Sequence, residues 1–326
     1  MRKRLIGLVM VCGCVMNTVA QNMCVMPPFL KSGDKIAVIS PSSAIDTATV
    51  INGCKILREW GFEPVVGKHA FKSYHGFGGT IEERSSDLLW ALRDTTIHAI
   101  MCTRGGDGSV QLLPHIPHEA FSSHPKWLIG FSDITALHSA SVSAGVMSIH
   151  GSMCHAISSL GGRDTVSNTL HRMLLGELPR YEVNAHKNNQ LGTATGVLVG
   201  GNFSVLSGLA GSSYDFLLLS DIILFIEDTG ENLTRVDRML HQLEIRGILD
   251  RVKGIIVGKF SDYKHPENDF EDMYDMLHEY LKSYPIPVCY DFPVGHARLN
   301  NFPMIEGCQV QLSINENKTT LEFLPR

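Results

Sequence analysis

Short apolar runs alternate along this chain with longer stretches whose apolar positions recur every three or four residues, the pattern of strands alternating with helices. DKIAVISPSS (34–43) is an apolar strand that ends in a turn. TATVINGCKILREWGF follows with helical spacing and puts Gly61 where a helix stops. FEPVVG predicts a second strand, TIEERSSDLLWALRD an amphipathic helix, and IHAIMCT a third strand closing on RGGDG. KWLIGF is the next strand and ITALHSASVSAG the helix after it. Such alternation builds βαβ units on a parallel sheet, with functional groups gathered beyond the carboxyl ends of the strands.

Near residue 175 the texture changes. GELPRYEVNAHKNNQLGTATG is polar and turn-rich, without a clean period, and suits an interdomain connection. Beyond it lie GVLVGGNFSVLSGLAG, the strand DIILFIED, the helix LTRVDRMLHQLEIRG, the strand VKGIIVGKF, the long helix DFEDMYDMLHEYLKSY and the segment PVCYDFPVGH. QVQLSI and TTLEFLP predict a closing hairpin around NENK. The expected fold class is α/β in two domains with a cleft between them. An N-terminal parallel-sheet domain with flanking helices covers 21–175, a linker 176–190, and a C-terminal mixed α/β domain 191–326.

A chain of 326 residues is long enough for two such cores. The net charge of -5, with no basic stripe, excludes nucleic acid as a partner. The amino terminus stands apart: MRKR is cationic, and LIGLVMVCGCVMNTVA is apolar but too short for a stable membrane span. Small residues at Thr18-Val19-Ala20 precede Gln21, so 1–20 reads as a signal peptide and the mature protein as exported to the periplasm. The rival reading makes Cys14 the anchored residue of a lipoprotein; a retained leader would leave the protein in the cytoplasm. Of eight cysteines, Cys12 and Cys14 lie in the leader, whereas Cys54, Cys102, Cys154 and Cys289 sit in apolar runs as small buried hydrophobes. No Cys-x-x-Cys follows the leader, which argues against a zinc knuckle or redox pair.

KWLIGFSDITALHSA runs a strand straight into a helix with Ser132 and Asp133 at the corner. A serine hydroxyl is a weak nucleophile until a base takes its proton, and a tight turn holds it exposed. The helix N-terminus then offers free N–H groups to a developing oxyanion. Gly130 gives the turn room, but Ile134 and Thr135 follow Asp133, so the second glycine of G-x-S-x-G is missing. A serine or aspartate N-cap is the commoner occupant of such a corner, and the stretch alone favours it. Glu227 ends the strand DIILFIED, where a working acid belongs; it can also be a solvated strand-end carboxylate, and Asp228 a cap for the next helix. His296 follows a short strand, with Gly295 allowing a sharp bend, yet it is one of fifteen histidines. The glycines of TRGGDG (103–108) suit an anion-binding nest or a plain turn, and match neither a P-loop nor G-x-G-x-x-G. His150 and His155 have no partner at metal-site spacing.

Taken in order, GDKIAVISPSS, RGGDGSVQLLPHI, KWLIGFSDITALH, GVLVGGNFSVLSGLAGS, ILFIEDTGENLTRVDRMLHQL, VGKF and FPVGHARLNNFPM resemble the S66 family of serine peptidases, the muropeptide L,D-carboxypeptidases. The resemblance covers nearly all of the chain after the leader. It implies a Ser-Glu-His triad, with Ser132 in the family's G-[YF]-S-D, Glu227 in its strand-end E-D and His296 in its G-H. It also implies release of terminal D-alanine from murein tetrapeptides, in peptidoglycan turnover or recycling. An active site between the two domains, a homodimer, and no metal or organic cofactor complete the expectation. On that chemistry the backbone N–H groups of Gly106 and Asp133 are the oxyanion donors, and Arg104 is the nearest cation for a substrate carboxylate. The chain departs from the family at Asp107, where tyrosine is usual, and at Ser152, where proline is frequent. Asp107 is expected to turn away from the oxyanion or to meet an amine of the substrate. Two other activities fit the scaffold. A microcin-immunity type of hydrolase, cleaving acyl-sulfamoyl or acyl-phosphoramidate nucleotides, needs an aromatic face for adenine, and Trp60, Trp90 and Trp127 fall in helices or a strand. A non-catalytic binder of peptidoglycan peptides would not need the three residues.

Overall fold

The computed structural model describes residues 24–263, 270–297 and 299–325. The leader, with the alternatives read for it and for Cys14, lies outside the described residues. The amino-terminal half runs β1 (Lys35–Ile39), α1 (Thr47–Glu59), β2 (Glu63–Val66), α2 (Ile81–Arg93), β3 (Ile97–Cys102), α3 (His118–Ser123), β4 (Trp127–Gly130), α4 (Thr135–Ser143), β5 (Ser148–His150), α5 (Cys154–Leu160) and α6 (Thr165–Leu174). The remainder runs β6 (Arg180–Asn184), β7 (Gly192–Asn202), α7 (Phe203–Gly208), β8 (Ile222–Thr229), α8 (Leu233–Ile245), β9 (Val252–Ser261), α9 (Met273–Leu281), β10 (Val288–Cys289), β11 (Met304–Glu306), β12 (Gln309–Ile314) and β13 (Lys318–Phe323).

Two sheets result, and the α/β reading holds. The first has the order β11-β5-β4-β3-β1-β2, parallel except where β11 meets β5. Helices cover both of its faces, which is why β1 and β3 are apolar at nearly every position rather than at alternate ones. Helix α1 starts on Asp46, whose carboxylate accepts the Thr49 N–H, and stops at Gly61 with φ +93°. Helix α2 starts on a capping box between Thr80 and Glu83. The second sheet, β10-β9-β8-β7-β12-β13-β6, is parallel from β10 to β7 and antiparallel beyond. The closing hairpin β12–β13 turns on Asn315, whose side chain accepts the N–H groups of Asn317 and Lys318.

Two connections differ from the expected domain division. The segment 176–190 is more than a linker: Arg180–Asn184 forms β6 and pairs with β13, burying Tyr181. The chain also crosses back after residue 300, so that β11 belongs to the first sheet and β12, one turn later at Gly307 (φ +82°), to the second. The loop that carries His296 is thus held at one end by each sheet.

Candidate active site

Ser132 sits two residues after β4 ends, at φ +65°. A side chain in this left-handed region costs about 1–2 kcal/mol, so the surroundings must hold it there. Gly130 makes the turn possible, because a Cβ on it would stand 2.8 Å from Ile134 Cγ2. Gly105 makes room from the other side, where an added Cβ would be 2.9 Å from Ser132 Cβ. The cap reading is overturned: the turn Ser132–Ile134 and helix α4 both begin without any side-chain cap. The hydroxyl is free for other work.

The carboxyl ends of β7 and β8 come to meet this turn. Gly201 (φ +122°) lies so close to α4 that an added Cβ would be 2.5 Å from Thr135 Oγ1, and that oxygen accepts the Asn202 N–H at 3.0 Å. Asn202 is level with Glu227 on the neighbouring strand. Glu227 is fully buried, and the His296 loop folds over it through Gly295 (φ +118°), where a Cβ would be 2.7 Å from Glu227 Oε2. Asn301 fixes this bend by accepting the Gly295 N–H at 2.9 Å.

The three side chains form one line. His296 Nδ1 is 2.6 Å from Glu227 Oε2, and His296 Nε2 is 2.9 Å from Ser132 Oγ. A carboxylate accepts only, so Nδ1 carries the proton and Nε2 offers its lone pair to the serine hydroxyl. The Phe131 ring meets the imidazole edge-on at 5.2 Å and limits its rotation. Burial works against a charge on His296, but the charge and hydrogen bond of Glu227 outweigh it, with help from Asp228 and Asp262, and its pKa is raised. Glu227 Oε1 finds no donor among the described residues, so the carboxylate acts through the imidazole. Such a line can take a proton from the hydroxyl and return it to a leaving group.

The loop whose Gly105 packs on Ser132 carries three of the other expected residues, Arg104, Gly106 and Asp107. Gly106 (φ +113°) follows Gly105 on the loop against Ser132 and approaches Ser43, whose Oγ would be 2.1 Å from a Cβ there. Asp133 is the buried neighbour of Ser132. Asp107 is exposed, with its N–H donated to Ser43 Oγ at 3.0 Å. Arg104, half-buried on the same loop, donates to the Ala44 carbonyl at 3.3 Å. Asp228 does not cap α8, since Asn232 does. Instead it accepts from Asn202 Nδ2 at 2.9 Å and the Ser204 N–H at 2.8 Å; burial and then the Glu227 charge push it up to about 6. His150 is fully buried, its ring 5.1 Å from Phe225, while His155 is exposed. Ser152 is buried in the loop after β5. Sequence reasoning missed Asn301 and Gly201, whose roles depend on approach between distant segments; the local signals were a polar NN pair and a GGN run.

The fold and this line define a class: a two-domain α/β protein with serine, imidazole and buried carboxylate hydrogen-bonded in series. Residues 36–151 match the LD-carboxypeptidase N-terminal domain and residues 195–312 the LD-carboxypeptidase C-terminal domain. The chain belongs to this S66 family of serine carboxypeptidases. It is 32% identical to the murein tetrapeptide carboxypeptidase of Pseudomonas aeruginosa, over 82% of this chain and 89% of that one. It is 29% identical to the microcin C7 self-immunity protein of Escherichia coli, over 82% and 87%. Among solved structures it resembles muramoyltetrapeptide carboxypeptidase from Oxalobacter formigenes, with a TM-score of 0.79 and 27% identity over 90% of this chain and 100% of that one.

Proposed function

We propose that this protein is a serine L,D-carboxypeptidase that releases terminal D-alanine from murein tetrapeptides. The carrying observation is the continuous hydrogen-bonded line from Ser132 through His296 to Glu227. In this reading Ser132 Oγ attacks the amide carbonyl while His296 takes its proton, and Glu227 stabilises the imidazolium. The N–H groups of Gly106 and Asp133 receive the oxyanion. His296 then protonates the leaving D-alanine, and water releases the acyl-enzyme by the same steps in reverse. Arg104 meets the substrate's free carboxylate. Asp107, on a loop tied to Ser43, meets an ammonium group such as that of a diamino acid in the stem; Asp107→Asn should raise KM about tenfold for amine-bearing stems and leave N-acetylated ones unchanged. Export, a homodimer and independence from metal or organic cofactors belong to the same proposal.

The test is incubation of the purified protein with L-Ala-γ-D-Glu-meso-diaminopimelate-D-Ala. Free D-alanine, lost in Ser132→Ala, supports the reading. Similarity to the self-immunity protein makes acyl-sulfamoyl nucleotides the control substrate. Turnover of those alone would replace the proposal by the immunity-type activity, and tight peptide binding without turnover by a binding role. Trp127 is buried in β4, and Trp60 and Trp90 lie at the end of α1 and within α2 rather than on the loops around Ser132, which favours the peptidase reading.

A further inference from the structure

Two buried side chains of opposite charge, Asp133 beside the strained turn at Ser132 and Arg84 on α2, grip the same two loops. Asp133, 6% exposed, accepts on one carboxylate oxygen from Ser42 Oγ at 2.5 Å and from the Ser109 N–H at 2.8 Å. Its backbone carbonyl accepts from Ser109 Oγ. Arg84, 2% exposed, donates from Nη1 to the carbonyls of Pro41 and Gly108, each at 2.8 Å. It also donates from Nε to the Gly79 carbonyl at 3.1 Å and from Nη2 to Gln111 Oε1 at 2.6 Å. The anion therefore holds donors of residues 42 and 109, and the cation holds acceptors of residues 41 and 108, their immediate chain neighbours. Gly108 (φ +108°) admits the guanidinium, since a Cβ on it would stand 2.9 Å from Arg84 Nη1.

Burying two charges is costly unless every bond is made, and apolar side chains of the same size would stabilise a fold as well. Desolvation weakens the hold of Arg84 on its proton, and the Asp133 charge opposes that loss. What the charged arrangement supplies is a fixed geometry. The loop from 105 to 108, gripped at its far end, presses Gly105 against Ser132 Cβ. A displacement of about 1 Å at such a place costs on the order of a hundredfold in rate.

We infer that Arg84 and Asp133 are a pair of positioning residues that lock the loop at 105–108 against the nucleophile turn, setting the distance between Ser132 Oγ and the backbone N–H groups that receive the oxyanion. Neither side chain touches substrate; the Asp133 backbone N–H is the oxyanion donor whose position the two side chains fix. The inference rests on the reading of Ser132 as nucleophile.

A fluorophosphonate probe tests it on the full chain. The serine oxygen bonds to phosphorus, fluoride leaves, and the hydroxyl proton passes to the imidazole. Arg84→Lys keeps the charge but cannot reach four acceptors. Its labelling rate at Ser132 and its kcat for D-alanine release should both fall on the order of a hundredfold. KM should stay within about threefold, and the pH profile should not move because the His296–Glu227 pair is untouched. Ser42→Ala removes the hydroxyl that donates to Asp133 and, at 3.2 Å, to the Asp107 carbonyl of the same loop, and should lower both rates about three- to tenfold, with Ser42→Thr restoring most of the loss. If Arg84→Lys does not fold, Ser42→Ala decides alone. Folded variants that label and turn over within about twofold of the unmutated protein overturn the inference, as does a rise in KM without a fall in kcat. An unmutated protein that does not react at Ser132 overturns the functional reading instead, so the two failures are distinguishable.

Discussion

Ser132 Oγ and His296 Nε2 lie 2.9 Å apart although 164 positions separate the two residues in the chain. The contact joins the two sheets, since Ser132 lies in the turn after β4 of the first and the His296 loop leaves β10 in the second before returning to the first as β11. Because that loop is anchored in both sheets, the contact needs no closing motion of one domain on the other. A serine at the end of one sheet and an acid at the end of another are brought together by the close approaches at Gly201 and Gly295.

The pH dependence of turnover follows from the imidazole. His296 must be neutral to accept a proton, and Glu227 keeps it charged to a pH above the ordinary histidine value of 6.5 despite its burial. On lowering the pH, kcat/KM should therefore fall with a midpoint above that value. Glu227→Gln removes the anion and leaves the burial, so the midpoint should move toward acid while kcat drops on the order of a thousandfold or more. An acid limb that stays in place in Glu227→Gln would contradict the assignment of that limb to His296.

Backbone strain at Ser132 predicts a trade between stability and activity. Ser132→Ala and Ser132→Gly should be equally inactive, but only glycine adopts φ +65° without penalty. Ser132→Gly should be the more stable of the two by about 1 kcal/mol in urea unfolding. Equal stabilities would mean that the turn carries no strain.

The six cysteines from Cys24 onward are free and buried, and burial pushes Cys24 up to about 11 and Cys308 up to about 12. In the native protein they should resist a thiol reagent near neutral pH and react together on unfolding, as read by peptide mapping. Reductant should leave the unfolding midpoint unchanged. A disulfide among these six in protein isolated from its native compartment would contradict this.

Much of this arrangement is legible in the sequence because strand ends mark themselves. Ser132 and Glu227 each close an apolar run, so their placement toward the carboxyl ends of the strands follows from local pattern alone. What local pattern hides is approach across long separations. Arg84 falls in a helix whose spacing assigns its charges to solvent, yet it is buried among carbonyls of three loops. The strand β11 is three residues long and ends in a buried glutamate, which has no period to read. The strand β6 alternates, but it lies in a polar stretch whose partner, β13, is the last strand of the chain. The choice at Ser132 between cap and nucleophile needed His296, which no window around the serine contains.

The most direct measurement is to quench the protein during turnover of the tetrapeptide and look for an acyl-enzyme by mass spectrometry. A nucleophilic Ser132 predicts a transient adduct with the mass of the tripeptide acyl group on the peptide that contains it, formed as D-alanine appears and absent from Ser132→Ala. Continued release of D-alanine by Ser132→Ala, or an adduct on another residue, would contradict it.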